Sequence, residues 1–243
     1  MALILNIETA TSVCSVALAK EGKILGIKEN TEGLNHSLLL GTFIHALFEE
    51  CALTAHDLDA VAVSMGPGSY TGLRIGVSMA KGLCFGASKP LIAINTLQAL
   101  ARSVSEQLKE DAWYCPMIDA RRMEVYTAFF DSHNRTILDT KAEIIDEHSF
   151  SDILATHKVY FFGDGSEKVK NTLVSPHACY LNDKAASAAH LVEIAEQKFA
   201  AQQFESVAYF EPFYLKDFIA TTPKHKIVSV SYTHLTLPTK RIV

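Results

Sequence analysis

A net positive charge, a long apolar run and paired cysteines are all missing from this sequence. Its 243 residues include 22 Lys and Arg against 27 Asp and Glu, and the net charge of -5 excludes a global attraction to nucleic acid or to an anionic membrane. No apolar run reaches the roughly 18 residues of a membrane span, and the apolar N-terminus lacks the basic flank of a signal peptide. The five cysteines form no CxxC pair, which favours reduced thiols in a cytoplasmic protein.

Histidine motifs for metal binding are also missing, although the chain has ten histidines. No HExxH occurs, and His36, His45 and His56 are nine and eleven residues apart, so no two of them share a helical turn. We therefore expect no metal site. We interpret His36 as a residue near the start of a helix.

Three glycine motifs are absent from the stretch SMGPGSYTGLRIG at 64–76. A Walker A loop needs GxxxxGK[ST], but Gly66 and Gly72 are six residues apart and Leu73 stands where lysine is required. The dinucleotide motif GxGxxG and the hydrolase motif GxSxG both require glycine at the position of Thr71. These absences argue against a phosphate loop, a dinucleotide site and a serine hydrolase.

What the stretch does contain is the pattern of a turn between a strand and a helix. Pro67 fixes one φ angle, and Gly66 and Gly68 permit positive φ on either side of it. Ser69 or Thr71 can cap the following helix, whose first N–H groups could face an anion. A tight turn without a ligand and an anion site are both open interpretations.

The order of apolar segments predicts an α/β protein with two lobes. A meander of three strands precedes alternating helices and strands, and the meander pattern restarts at residue 113. The first lobe is predicted at 1–110, with strands 3–9, 13–20, 23–30, 58–65 and 90–95 and helices 36–51, 71–87 and 96–110. The second is predicted at 111–226, with strands 113–120, 123–131, 135–145 and 158–166 and a helix near 185–203. This order resembles the actin-like and Hsp70-like (ribonuclease H-like) two-lobe fold with an abbreviated second lobe.

The helix predicted at 71–87 carries glycine where helices usually avoid it. Gly72, Gly76 and Ala80 follow at intervals of four and form one smooth face. Each interior glycine costs about 1 kcal/mol relative to alanine, so the face should serve close packing. The packing is either within the lobe or against a partner. We favour the partner, because helix 36–51 is apolar on more than one face.

The first hairpin is a candidate for a vestigial nucleotide site. In the actin-like fold this hairpin carries an Asp-Gly-Thr type turn that holds phosphate and metal. Here Glu8 replaces the Asp, and no glycine follows that would let backbone N–H groups wrap a phosphate. The hydroxyls of Thr9, Thr11 and Ser12 remain. We expect weak nucleotide binding at most.

Two further turns could meet an anion. In DARRMEVY at 119–126, Arg121 or Arg122 could contact a phosphate, although a solvated hairpin with an internal ion pair is slightly favoured. The stretch FFGDGSE at 161–167 fits an anion nest and a plain loop equally well.

Four motifs are specific when they are taken together. They are ILNIETAT at 4–11, GPGSYTGLRIG at 66–76, DARRMEVY at 119–126 and PFYLKDF at 212–218. In this combination the chain resembles the TsaB (YeaZ) family of tRNA threonylcarbamoyladenosine biosynthesis over about residues 1–225. The last dozen residues lie outside the resemblance, so we interpret 227–243 as a non-native or disordered tail. A short strand at 227–230 is the alternative.

The resemblance implies a scaffold with no catalytic activity of its own. Members of the family pair with TsaD, the paralogue that transfers the threonylcarbamoyl group to the adenosine next to the tRNA anticodon. The ATPase TsaE joins the pair, tRNA is reached only through the complex, and a homodimer is expected in isolation. No cofactor is required, and only weak adenine nucleotide binding is expected. The partner contacts carried over onto helices 36–51 and 71–86 are Leu39, Leu40, Phe43, Ile44, Leu47, Gly72, Arg74, Ile75, Gly76, Met79, Ala80 and Leu83.

Two other classes of function are alternatives. A small-molecule kinase or another ATPase of the same fold would need a working phosphate turn at residues 8–12. An M22-type peptidase would need a metal or nucleophile constellation, and the spacing of residues shows none. Turnover of Mg-ATP or a bound metal would favour one of these classes.

Overall fold

The computed structural model describes residues 2–33 and 35–216, and within them the chain forms two five-stranded sheets. The strands are β1 Leu3–Glu8, β2 Cys14–Lys20, β3 Lys23–Asn30, β4 Ala60–Gly66, β5 Leu91–Asn95, β6 Trp113–Asp119, β7 Glu124–Phe130, β8 Thr136–Ile144, β9 Val159–Phe162 and β10 Ala178–Tyr180. The α-helices are α1 His36–Cys51, α2 Tyr70–Ala87, α3 Thr96–Leu108, α4 Ser151–Leu154, α5 Ser166–Val169 and α6 Val192–Ala200. No helix within the described ranges is long and apolar enough to cross a membrane.

The first sheet has the strand order β3-β2-β1-β4-β5. β1, β2 and β3 pair antiparallel, as the predicted meander requires, and β4 and β5 add in parallel. β1 is buried along its whole length because both faces of the sheet are covered. Leu3, Leu5 and Ile7 pack towards α1 and α2, whereas Ala2 and Ile4 face the opposite layer.

The second sheet repeats the pattern in the order β10-β9-β6-β7-β8. β6, β7 and β8 are antiparallel, and β9 and β10 join in parallel. α3 lies between the two sheets: Leu97, Leu100 and Val104 pack with Tyr114 and Phe162 of the second sheet. Ala99 of the same helix packs on the first sheet. One helix therefore belongs to the cores of both lobes.

The prediction that the helix near 185–203 completes the second lobe is wrong. α6 packs on the first sheet, where Ile194 and Ala195 join the cluster that contains Ile4, Ala62 and Ile92. The 3₁₀ turn Ala188–Leu191 before it also lies on this sheet and contacts β2. Apolar periodicity predicted the helix, but it could not indicate which of two apolar sheet faces the helix would cover.

After α6, residues 204–216 lie along the first lobe as a segment that includes a turn at 207–209, and we call this segment the strap. The Glu205 N–H donates to the carbonyl of Leu91 at 2.8 Å, and the Phe213 N–H donates to the carbonyl of Met65 at 2.8 Å. At the end of the strap, the ammonium group of Lys216 pairs with the Glu124 carboxylate of the second lobe. The predicted tail at 227–243 and the alternative strand at 227–230 lie outside the described residues.

Candidate functional site

The glycine-rich turn before α2 packs tightly against the β1–β2 turn. Gly66 has φ of +108°, as predicted, but Gly68 does not have positive φ and is needed for a different reason. A Cβ on Gly68 would lie 2.2 Å from the carbonyl oxygen of Ala10. The Ser69 N–H donates to that oxygen at 2.6 Å, and the Ser69 hydroxyl caps α2 by accepting from the Gly72 N–H at 3.3 Å. Gly68 and Ser69 therefore join the turn before α2 to the β1–β2 turn of the same lobe.

The smooth face of α2 also points into the lobe. A Cβ on Gly72 would lie 2.1 Å from the Thr9 carbonyl oxygen, and one on Gly76 would lie 2.2 Å from the Thr9 hydroxyl oxygen. Ala80, the third member of this face, is fully buried. The interpretation of close packing within the lobe is correct, and the expectation that these three residues contact a partner is wrong.

Three predicted contact residues of α1 are likewise interior. Leu40, Ile44 and Leu47 belong to the core between α1, α2 and the first sheet. With Gly72, Gly76 and Ala80, half of the twelve predicted contacts are buried, so they cannot meet a partner in this conformation. The sequence could not separate the two sides of α1 because both sides are apolar.

The other six predicted contacts are at the outer surface of α1 and α2, and four of them line an open groove of about 750 Å³ there. We define the groove by its lining residues, Ser37, Tyr70, Thr71, Arg74, Ile75, Ser78, Met79, Gly82 and Leu83. The remaining two, Leu39 and Phe43, are half-buried on α1.

Sequence reasoning missed two exposed apolar side chains of these helices. Leu38 of α1 is 74% exposed and Phe85 of α2 is 84% exposed. The spacing of Thr71, Ser78 and Phe85, seven residues apart, follows one outward face of α2 and could have identified this side. The exposed surface of α2 therefore includes four of the predicted contacts, but not the face of Gly72, Gly76 and Ala80.

A tyrosine pair and an arginine form one end of the groove. The Arg74 Nη1 donates to the Tyr70 hydroxyl at 3.0 Å, and the guanidinium carbon is 5.3 Å from the centre of the Tyr70 ring. The Tyr70 ring contacts the ring of Tyr214 from the strap, with 5.0 Å between centroids. The strap therefore contributes to the wall behind Arg74.

The first hairpin turn uses its polar groups internally. Thr9 donates its hydroxyl to the Gly72 carbonyl at 2.8 Å, and the Thr11 hydroxyl accepts from the Val13 N–H at 3.3 Å. Of the four residues considered for a nucleotide in this turn, Ser12 alone is exposed.

Glu8 of this turn is almost completely buried, with 1% of its surface exposed. One carboxylate oxygen accepts from the Ala10 N–H at 2.6 Å and from the Ser64 hydroxyl at 3.0 Å. Burial raises the pKa of Glu8 to about 7, and these hydrogen bonds oppose the rise only partly. The carboxyl group joins the end of β1 to β4.

The turn after β6 has a different charge pattern from the one predicted. Arg121 and Arg122 are exposed and have φ of +70° and +51°. Asp119 pairs with Lys168, and Glu124 pairs with Lys216. The favoured hairpin is present, but its acids pair with lysines from elsewhere in the chain. Those lysines are distant in sequence and gave no local signal.

The stretch at 161–167 is packed as a plain loop. The Asp164 carboxylate accepts from the Asp119 N–H at 3.0 Å, and the Gly165 N–H donates to the Met117 carbonyl at 3.0 Å. Burial raises the pKa of Asp164. The Gly165 N–H, one of the groups that an anion nest would offer, is thus used to hold the loop on β6.

His36 begins α1, as predicted, and its buried Nε2 donates to the Thr11 carbonyl at 3.0 Å. Within residues 2–33 and 35–216, no group of three His, Cys, Asp or Glu side chains is arranged to hold a metal ion.

Two lobes, each built from an antiparallel meander extended by parallel strands, define the actin-like class of two-lobe α/β proteins. Structures with this fold include YeaZ from Pseudomonas aeruginosa, with a TM-score of 0.77 and 25% identity over 88% of this chain and 100% of that chain. The family model "TsaD: tRNA N6-adenosine threonylcarbamoyltransferase" matches residues 21–234.

The curated relatives identify the branch of this family. The Escherichia coli protein "tRNA threonylcarbamoyladenosine biosynthesis protein TsaB" is 30% identical over 225 residues, which cover 89% of this chain and 96% of the relative. The Bacillus subtilis and Haemophilus influenzae proteins of the same name are 34% and 37% identical, over 54% and 51% of this chain. Those two matches span 56% and 51% of the relatives, about half their length. The chain belongs to the TsaB family.

Proposed function

We propose that this chain is a non-catalytic docking subunit in the threonylcarbamoyl modification of tRNA, which binds the catalytic paralogue TsaD. Its curated relatives are named as tRNA threonylcarbamoyladenosine biosynthesis proteins. The family model that covers most of the chain describes the transferase itself, which supports a paralogous relation between the two proteins. The modified base is the adenosine next to the anticodon, and the protein works in the cytoplasm.

The observation that carries the proposal is the apolar surface of α1 and α2. Ile75, Met79 and Leu83 line the groove, and the exposed Leu38 and Phe85 extend the apolar surface of the two helices. Exposed apolar surface of this kind is typical of a protein interface. A helix of TsaD is the proposed occupant, and a second copy of this chain takes the same surface in isolation.

The accessory role is supported by the state of the first hairpin turn. Thr9 and Thr11 use their hydroxyls within the lobe, and the turn is closed by contact with α2. We propose that no cofactor is required and that adenine nucleotide binds weakly at most. The ATPase TsaE then joins the heterodimer, and tRNA is engaged through the complex.

The test measures binding to purified TsaD and tRNA modification in the reconstituted system. Met79→Asp places a charge in the groove and is expected to weaken TsaD binding at least tenfold, because the carboxylate would lose its hydration in an apolar interface. Tenfold more Met79→Asp protein should then be needed for tRNA modification.

Val174→Asp is the matched control. Val174 is 82% exposed in the second lobe, away from the groove, so an aspartate introduced there should leave TsaD binding unchanged. The proposal would be overturned by equal TsaD binding of Met79→Asp and wild type, or by full tRNA modification without this chain. Turnover of Mg-ATP by the chain alone would favour the kinase or ATPase alternative.

A further inference from the structure

The described lining of the groove includes one charged residue. Of the described residues that line it, Arg74 alone carries a formal charge, and the others are apolar, aromatic, glycine or hydroxyl residues. A partner that covered the groove with apolar side chains alone would remove water from the Arg74 guanidinium and offer it no hydrogen-bond acceptor instead. Desolvating an unpaired charge is unfavourable, so such a partner would bind weakly.

Arg74 is held in place before any partner arrives. Its guanidinium donates to the Tyr70 hydroxyl and lies against the Tyr70 ring, and that ring is supported by Tyr214. The strap is fixed to the first lobe over the residues that precede Tyr214. Lys81 donates to the carbonyls of Ala208 and Phe210 at 3.1 and 3.0 Å, and Phe213 is bonded to β4. A cation positioned in this way loses little freedom on binding.

The guanidinium has capacity for an external acceptor. Arginine has five N–H donors, and the bond to Tyr70 uses one of them. In the described part of the chain no Asp or Glu forms an ion pair with Arg74, whereas Lys81 already bonds the strap carbonyls. Glu211 on the strap influences Tyr214 electrostatically without pairing with Arg74.

We propose that Arg74 is a specificity residue of the groove, and that it recognises an Asp or Glu on the apolar face of the docking helix. The occupant is thus an amphipathic helix with an apolar stripe for Ile75, Met79 and Leu83 and one carboxylate opposite Arg74. Planar guanidinium and carboxylate groups form paired hydrogen bonds, which fix the register of the helix in the groove. This inference rests on the proposed docking function.

The experiment measures TsaD affinity of Arg74 variants at low and high salt. Arg74→Glu should weaken binding at least a hundredfold, and Arg74→Lys, which keeps the charge but not the planar geometry, only several-fold. Arg74→Met should show a smaller decrease in affinity with added salt than wild type does, because the interfacial ion pair is gone. One Asp→Lys or Glu→Lys substitution in the docking helix should restore binding to Arg74→Glu.

The outcomes separate this inference from the docking proposal. If Met79→Asp abolishes binding but Arg74→Glu binds as wild type does, the groove docks TsaD and the carboxylate inference is wrong. If neither variant weakens binding, docking at the groove is itself wrong. Tyr214→Phe, which keeps the ring, should bind TsaD as wild type does, and Tyr214→Ala should weaken binding several-fold. The double variant Arg74→Met with Tyr214→Ala should bind no more weakly than Arg74→Met alone. If the losses of TsaD affinity from the two substitutions add in the double variant, Tyr214 does not act by positioning Arg74.

Discussion

Glu8 illustrates how one residue departs from the fold's usual chemistry. It stands where an Asp is expected in the actin-like turn, and its carboxyl group is buried between β1 and β4. The hydrogen-bond donors to it, the Ser64 hydroxyl and the backbone N–H groups of Ala10 and Thr9, are all neutral. No opposite charge in these bonds compensates for desolvation, so ionisation of Glu8 opposes folding.

The stability of the protein should therefore depend on pH through Glu8. Below pH 4.5 the carboxyl is protonated in both states, and between 4.5 and about 7 only the folded state keeps the proton. The free energy of unfolding should fall by about 3 kcal/mol as pH rises across this interval. Glu8→Gln keeps the acceptor oxygen and removes the titration.

Urea unfolding at pH 5 and pH 8 measures this effect. Glu8→Gln should gain about 2–3 kcal/mol of unfolding free energy relative to wild type between pH 5 and pH 8, because part of the effect of the raised Glu8 pKa is already present at pH 5. Other titrating groups are common to both proteins and cancel in the difference. The same difference at both pH values would show that Glu8 does not titrate in this interval.

At the scale of elements, α2 shows what a sequence can and cannot specify. Its bounds were predicted to within a residue, because apolar periodicity and the cap at Ser69 are local signals. Which face turns inward was predicted wrongly. Gly72 and Gly76 lie under the Thr9 turn, whereas Gly82 and Gly86 have open space around them. That distinction depends on a turn more than 60 residues away in the chain, so no local pattern reveals it.

Two alanine substitutions in α2 should have opposite effects. Gly72→Ala brings a Cβ within 2.1 Å of the Thr9 carbonyl and should lower the free energy of unfolding by about 1–3 kcal/mol. Gly82→Ala meets no atom within 4 Å and should raise it by up to about 1 kcal/mol, because alanine favours the helix. Chemical denaturation of both variants measures the two shifts. Equal stability of Gly72→Ala and wild type would contradict the packing described here.

For the whole molecule, the sequence predicted both meanders and the repetition of the fold, since strand patterns and turns are local. It failed on the path of the chain after β10. The first sheet receives α6 and most of the strap from the far end of the sequence, so this lobe is assembled from two separate segments. The sequence predicted the groove only in part: four of its nine lining residues were among the predicted contacts.

The assignment of α6 to the first lobe can be tested by hydrogen exchange. Ile194→Ala removes a buried side chain beneath the first sheet and should cost about 2–4 kcal/mol. Exchange should accelerate most in β1, β4 and β5. The matched variant Leu173→Ala, in the core of the second lobe, should accelerate β6, β7 and β9 instead. Acceleration of the second sheet by Ile194→Ala would place α6 there.

The late arrival of α6 has a consequence for the nascent chain on the ribosome. When β5 has been synthesised, Ile4, Ala62 and Ile92 still lack the helix that covers them. About a hundred residues separate β5 from the end of α6, which corresponds to roughly 5–20 s of translation. The first lobe therefore cannot be completed until the second lobe and α6 have been synthesised. During this interval, the uncovered face of the first sheet is the surface to which chaperones would bind.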